Sequence, residues 1–104
     1  MAYFDRFRSL SNFCGFFHED WPIDHSNADD VLRFYISWVT ADDIVNTVHD
    51  INRIVTEIND EEELYHVIVF KLHCSYDAKS DGWSSCREWL EHVRDVLSTA
   101  VRSR

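Results

Sequence analysis

The sequence predicts an all-α fold, a compact bundle of about five amphipathic helices, on three observations. Breakers are scarce, because Gly15, Pro22 and Gly82 are the only glycines and proline in 104 residues, too few for a turn-rich β fold. Apolar residues recur at intervals of three and four along most of the chain, the period of a helix with one buried face. Asn27, Thr40, Asp60 and Ser85 each stand just before such a run, where a short polar side chain can satisfy free backbone N–H groups. At this length residues 1–104 form a single domain, since separate cores need about 100 to 150 residues each. Area scaling gives a folded surface of about 6,100 Å².

The elements follow in order. Phe4, Phe7, Leu10, Cys14 and Phe17 make the first stripe, and Ser9, Ser11 and Asn12 can split it into two short helices by competing for backbone hydrogen bonds. Pro22 biases Trp21 away from helical geometry, so this element is expected to end near His18, with Glu19 to Asn27 as a connector. A second helix begins after Asn27, with Asp29 and Asp30 at its positive end and Val31, Leu32, Tyr35, Trp38 and Val39 as its apolar face. Thr40 caps the third, where Ile44, Val48, Ile51, Val55 and Ile58 alternate at spacings of four and three. Asp60 caps the fourth, which opens on Glu61, Glu62 and Glu63 and buries Leu64, Val67, Ile68 and Leu72.

The run from Val67 to Phe70 is β-branched and continuous enough to suit a buried strand. Helix is the expectation, because a lone strand would have no partner. His73 to Ser84 is a polar connector in which Asp77, Ser80, Asp81 and Gly82 bring turn chemistry. Ser85-Cys86-Arg87-Glu88 has capping-box spacing, and Trp89, Leu90, Val93, Val96, Leu97, Ala100 and Val101 continue as the last stripe, ending basic at Arg102 and Arg104.

Charge narrows the function classes. With 19 acidic against 10 basic residues the net charge is −9, which opposes direct contact with nucleic-acid phosphates and favours a basic protein partner. The three cysteines, Cys14, Cys74 and Cys86, are an odd number without paired spacing, so neither a disulfide framework nor a zinc knuckle is expected. No signal-peptide pattern and no apolar run of about 20 residues occurs. A soluble cytoplasmic protein without a membrane partner is the expectation.

Candidate sites are few. His18-Glu19-Asp20 places an imidazole beside carboxylates, the residue types of acid–base chemistry, but no nucleophile motif, phosphate loop or oxyanion signature accompanies it. His73, Cys74, Cys86 and His18 supply metal-ligand types without a ligand spacing. Catalytic residues, metals and cofactors are therefore not assigned. Two groups remain as candidates for partner binding. Trp21 and Trp83 stand outside clean helical periodicity, as anchors or as lids on the bundle. The acids Asp42 and Asp43, and Glu57 with Asp60, Glu61, Glu62 and Glu63, form concentrated negative clusters, to which Glu19 and Asp20 can add; each also has an ordinary role as a helix-start charge.

Taken in order, Phe13-Cys14-Gly15-Phe16-Phe17-His18-Glu19-Asp20-Trp21, Asp30-Val31-Leu32, Leu72-His73-Cys74-Ser75-Tyr76, and Gly82 followed by Arg87-Glu88-Trp89-Leu90 resemble the contact-dependent growth inhibition immunity proteins, the CdiI-like family. In that family an aromatic stretch ends in His-x-Asp-Trp, and a late helix carries Trp-Leu after a glycine-containing loop. His73 stands where glycine is expected before the cysteine, at a helix end, and Ser80-Asp81 replaces a more proline-rich loop. The resemblance implies a helical bacterial cytoplasmic protein, not an enzyme, that forms a 1:1 heterodimer with the C-terminal toxin domain of a CdiA-like effector. That toxin is commonly a nuclease, with an RNase among the candidates. Charge and resemblance together predict that the acidic surface covers the toxin's basic active-site or substrate groove. The alternative is a small acidic adaptor or regulatory module for another basic protein.

Overall fold

The apolar spacing of the chain resolves into seven α-helical segments among the described residues, which run from 3 to 103 with the side chain of Phe4 left out, in a computed structural model. They are α1 (Tyr3–Arg6), α2 (Arg8–Cys14), α3 (Trp21–Asp24), α4 (Ala28–Trp38), α5 (Ala41–Glu57), α6 (Glu61–His66) and α7 (Cys86–Arg102). A π-helical turn, Val67–Lys71, prolongs α6, and a 3₁₀ turn, Lys79–Asp81, precedes α7. No strand occurs among the described residues, so the fold is all-α as expected. Five segments carry the bundle, while α1 and α3 are single turns. The Phe4 side chain and Arg104, both placed in the sequence reading, lie outside the described residues.

The expected caps form. Asn27 Oδ1 accepts the Asp30 N–H at 2.8 Å, and Asp60 Oδ2 accepts that of Glu63 at 3.1 Å. Thr40 and Asp43 exchange hydrogen bonds at 3.1 and 3.2 Å in a complete capping box at the head of α5. The box at α7 is only half made. Ser85 Oγ accepts the Glu88 N–H, but the Glu88 carboxylate takes the Ser84 hydroxyl instead of reaching back to Ser85. Glu61 completes that cap from another helix, accepting the N–H groups of Cys86 and Arg87 at 2.8 and 3.3 Å. Arg87 in turn donates to the carbonyls of Val55 and Ile58 at the end of α5, so one cluster joins three helix termini.

Helix α5 is central, with α7 and α2 packed along it. Ile44, Ile51 and Ile54 of α5, Leu10, Phe13 and Cys14 of α2, and Trp89, Leu90, Val93 and Leu97 of α7 are fully or almost fully buried in one core. Asp50, also buried, accepts the Leu10 N–H at 3.0 Å. It thereby supplies α2 with the cap that Phe7 cannot provide. The same α2–α5–α4 contact holds Thr47, whose hydroxyl meets Tyr35 Oη at 2.8 Å.

Several boundaries differ from expectation. The N-terminal stripe breaks at Phe7 (φ −126°, ψ 52°) rather than at Ser9 to Asn12; burial of Phe7 under the Arg53 guanidinium, 4.8 Å from its ring, outweighs the local competition from the serines. Helix α2 stops at Cys14, and tight turns carry the chain to Phe17. The expected connector from Glu19 to Asn27 contains α3, with Pro22 in its first turn, where a missing N–H costs nothing. Trp38 was assigned to the buried face of α4 but is 72% exposed, because the core covers Tyr35 in the last turn of that helix and leaves Trp38 at its end on the solvent side. Val67 to Phe70 is helical rather than strand, as a wide turn closed by Leu72 N–H to Val67 O at 2.9 Å.

That turn leads into His73, whose φ of +60° puts a non-glycine residue in the left-handed region. The Cys74 N–H reaches back to Ile68 O at 3.1 Å, a closure one residue wider than the 6→1 bond of a Schellman helix end, as fits the widened turn before it. The geometry that glycine would ease is thus kept with histidine in place.

Candidate functional site

The carboxylates predicted for partner binding divide by position and by what they already hold. Along α5, Asp42 and Glu57 are separated by about 22 Å at 1.5 Å per residue, so the two acidic clusters stand at opposite ends of that helix. Asp43 is committed to its capping box, Glu57 to an ion pair with Arg6, Asp60 to the start of α6, and Glu61 to the start of α7. Glu62 and Glu63 are exposed and their carboxylates make no hydrogen bond or ion pair among the described residues, and the same holds for the carboxylates of Glu19, Asp42 and Asp20.

Trp21 and Trp83 do come together, on the two flanks of the connector between the π turn and α7. Trp21 is half-buried, its indole N–H donating to Ser75 O at 3.0 Å and its ring 5.6 and 5.8 Å from those of Phe17 and Tyr76. Trp83 lies 4.9 Å from the His92 ring. Between them the connector alternates, with Cys74, Tyr76 and Ala78 buried and Ser75 and Asp77 exposed. The Tyr76 hydroxyl donates to Asp81 at 2.5 Å, and burial followed by this carboxylate pushes its pKa up. Asp77 accepts from the Ser80 hydroxyl at 3.0 Å. Gly82 turns the chain at φ 102°, a conformation suited to glycine.

Three grooves run across this face. One of 410 Å³ includes Asp29, Tyr76, Asp81, Trp83 and Glu88; one of 240 Å³ lies between Trp21, Tyr76, Asp77 and Asp81; one of 390 Å³ includes Glu61, Glu62, Tyr65, Phe70, Asp77 and Lys79. Tyr76 and Asp81 are common to the first two and Asp77 to the last two, so the surface is continuous. Six carboxylates line it against a single ammonium, that of Lys79. The sequence reading assigned Trp21, Trp83, Glu61 and Glu62 to the site but missed Asp29, Asp77, Asp81, Glu88 and the exposed Phe70. Alternating polar and apolar residues from His73 to Ala78 were the available signal for Asp77; the other four are brought to the face by the fold.

A second surface lies around α4. Phe34 and Trp38 are 43% and 72% exposed, with their rings stacked 5.9 Å apart. Phe34 also lies 5.9 Å from Phe16 and 5.2 Å from His25. Phe16, His25 and Phe34 edge a 530 Å³ cavity that His18, Asp24 and Asn12 help to line. His25 Nδ1 is 3.5 Å from Asp30, whose carboxyl is held below its usual range first by the Arg33 hydrogen bond and then by the Ser26 N–H.

Neither surface assembles catalytic machinery. His18 Nδ1 accepts the Asp20 backbone N–H at 3.1 Å rather than pairing with a carboxylate. Cys14 and Cys86 are buried, and their thiols are pushed up, Cys14 by hydrogen bonding with Cys74 and by burial, Cys86 to about 12 by burial and then by Glu61. Such thiols are poor nucleophiles near neutral pH. Among the described residues no group of three or more His, Cys, Asp and Glu side chains is placed to hold a metal ion, and no helix is long and apolar enough to cross a membrane.

Comparison with known proteins places this geometry in context. Residues 6–97 match the CdiI immunity protein family. Among solved structures, the chain is similar to one in the crystal structure of a CdiA-CT/CdiI complex from Y. kristensenii, at 27% identity and a TM-score of 0.87, covering 94% of this chain and 99% of that one. No curated protein matches.

Proposed function

The chain belongs to the CdiI immunity protein family, and on that premise we propose that it binds the C-terminal toxin domain of a cognate CdiA effector one to one and neutralises it. The observation that carries the reading is the match to the family over residues 6–97, supported by the likeness over nearly the whole chain to a protein from a CdiA-CT/CdiI complex. The protein acts in the bacterial cytoplasm as a stoichiometric inhibitor rather than as an enzyme.

The toxin is a nuclease, and inhibition is steric and electrostatic. A groove that holds a phosphate backbone is basic, and the connector face offers it carboxylates instead. Glu62, Asp77, Asp81 and Glu88 meet the groove directly, with Glu63, Glu19 and Asp20 at the edges and Trp21 and Trp83 as apolar shoulders. Glu57, Asp60 and Glu61 add charge while staying bonded within the protein, and Asp42 and Asp43 lie away from the contact. Oriented charge of this kind raises encounter rates about 10- to 1,000-fold and fades as salt screens it. A partner contact of about 800 Å² fits readily on a surface of 5974 Å².

The test is a titration of nuclease activity. Purified toxin domain encoded beside this chain's gene should lose activity linearly with added protein and reach zero at equimolar ratio, the two then co-eluting. Undiminished activity with saturating protein for every adjacent toxin domain would overturn the reading.

A further inference from the structure

We propose that the cavity between α2, α3 and α4 receives an arginine side chain of the toxin domain, and that Phe34 and Asp24 are its specificity-determining contacts; this rests on the toxin-binding reading above. The walls are aromatic, with the Phe16 and Phe34 rings 5.9 Å apart and His25 against Phe34. Asp24 lies on the rim with no hydrogen bond or ion pair among the described residues, and the cavity volume is 530 Å³. Trp38, stacked on Phe34, lengthens the wall beyond the cavity mouth.

This chemistry selects its guest. An apolar side chain would strip water from Asp24 without replacing its hydrogen bonds. An acidic one would meet Asp24 in the field of a chain of net charge −9. A guanidinium stacks on aromatic faces and presents N–H donors to a carboxylate together, which an ammonium does less well. A second copy of this chain is a poor occupant, because two molecules of charge −9 repel. The position also suits the same partner as the connector face. The four-residue helix α3 carries Trp21, on that face, at one end and Asp24, on the cavity rim, at the other, about 5 Å apart along the axis. A footprint of about 800 Å² is roughly 30 Å across and spans both.

The experiment measures toxin-domain binding to the full-length protein and to Asp24→Asn and Phe34→Ala variants, with thermal melting and light scattering of each free protein. Asp24 is exposed, so its variant should keep the melting temperature, whereas Phe34→Ala also gives up contacts with the Phe16, His25 and Trp38 rings and its affinity is compared at a temperature where its own melting curve shows it folded. The expected result is binding weakened about 30-fold by Phe34→Ala and about 10-fold by Asp24→Asn, chiefly through faster dissociation. In addition, one toxin arginine should lose its effect on binding when Asp24 is already asparagine. Wild-type binding with unchanged affinity in Asp24→Asn overturns the inference and leaves the toxin reading standing. Absence of wild-type binding overturns both. Unchanged toxin affinity with a dimer lost in Phe34→Ala would make a second copy the occupant and also overturns it.

Discussion

The connector face and the α4 face differ in how they are held. Around the connector, Trp21 is tied to Ser75, Tyr76 to Asp81, Asp77 to Ser80 and Glu61 to the amides of α7. Carboxylates there line the grooves, but several are fixed by internal bonds. On α4, Phe34 and Trp38 are apolar and exposed, and contacts between rings describe their surroundings. On the proposed reading, the difference separates two tasks of a protein inhibitor. A braced acidic surface sets the speed and orientation of encounter, whereas exposed aromatic side chains, once desolvated, set how long the complex lasts.

Substitutions can break this division. Trp21→Ala removes ring packing on Phe17 and Tyr76 and one hydrogen bond, and should cost about 3 kcal/mol of stability, read by denaturant unfolding. Lost toxin affinity at unchanged stability would instead make Trp21 an anchor and blur the two faces. Glu61→Ala strips the cap from α7 and should cost about 2 kcal/mol, lowering the melting temperature by roughly 10 °C. If melting holds and only affinity falls, Glu61 belongs to the contact rather than the frame.

Joint reversal of Glu62 and Glu63 to lysine should slow toxin association about 10-fold at low salt and little at high salt, while the loss of two acids from the first turn of α6 lowers stability by about 1 kcal/mol. Stopped-flow rates that ignore ionic strength would move the encounter surface elsewhere. His73→Gly has the smallest effect. Relief of the left-handed residue, offset by the greater freedom of glycine in the unfolded chain, should stabilise by about 0.5 kcal/mol. A destabilised variant would mean that the His73 side chain contributes more than its backbone geometry costs.

Much of the fold was legible because its signals are local. Asn27, Thr40 and Asp60 cap where their positions suggest, and the stripe from Ile44 to Ile58 gives the central helix. What escaped depends on distant partners. Nothing near Phe7 in sequence reveals that Asp50 caps α2 from α5, or that Glu61 caps α7. The latter matters for the site, since Glu61 reads as a free surface charge until the start of α7 is placed beside it. Trp21 and Trp83 stand out in the sequence by their irregular spacing, and the fold sets them on the two flanks of the connector; Trp38 was misplaced because periodicity gives a helix face without telling where its cover ends. Asp77 and Asp81 were passed over as turn chemistry, although alternation around Tyr76 points Asp77 outward.

Amide hydrogen exchange of the protein free and saturated with its toxin domain tests the central claim most directly. Protection should rise across residues 74–84 and around α3 and the exposed side of α4, while the start of α5 at Asp42 and Asp43 stays unchanged. Protection confined to the start of α5, with the connector unaffected, would contradict the account.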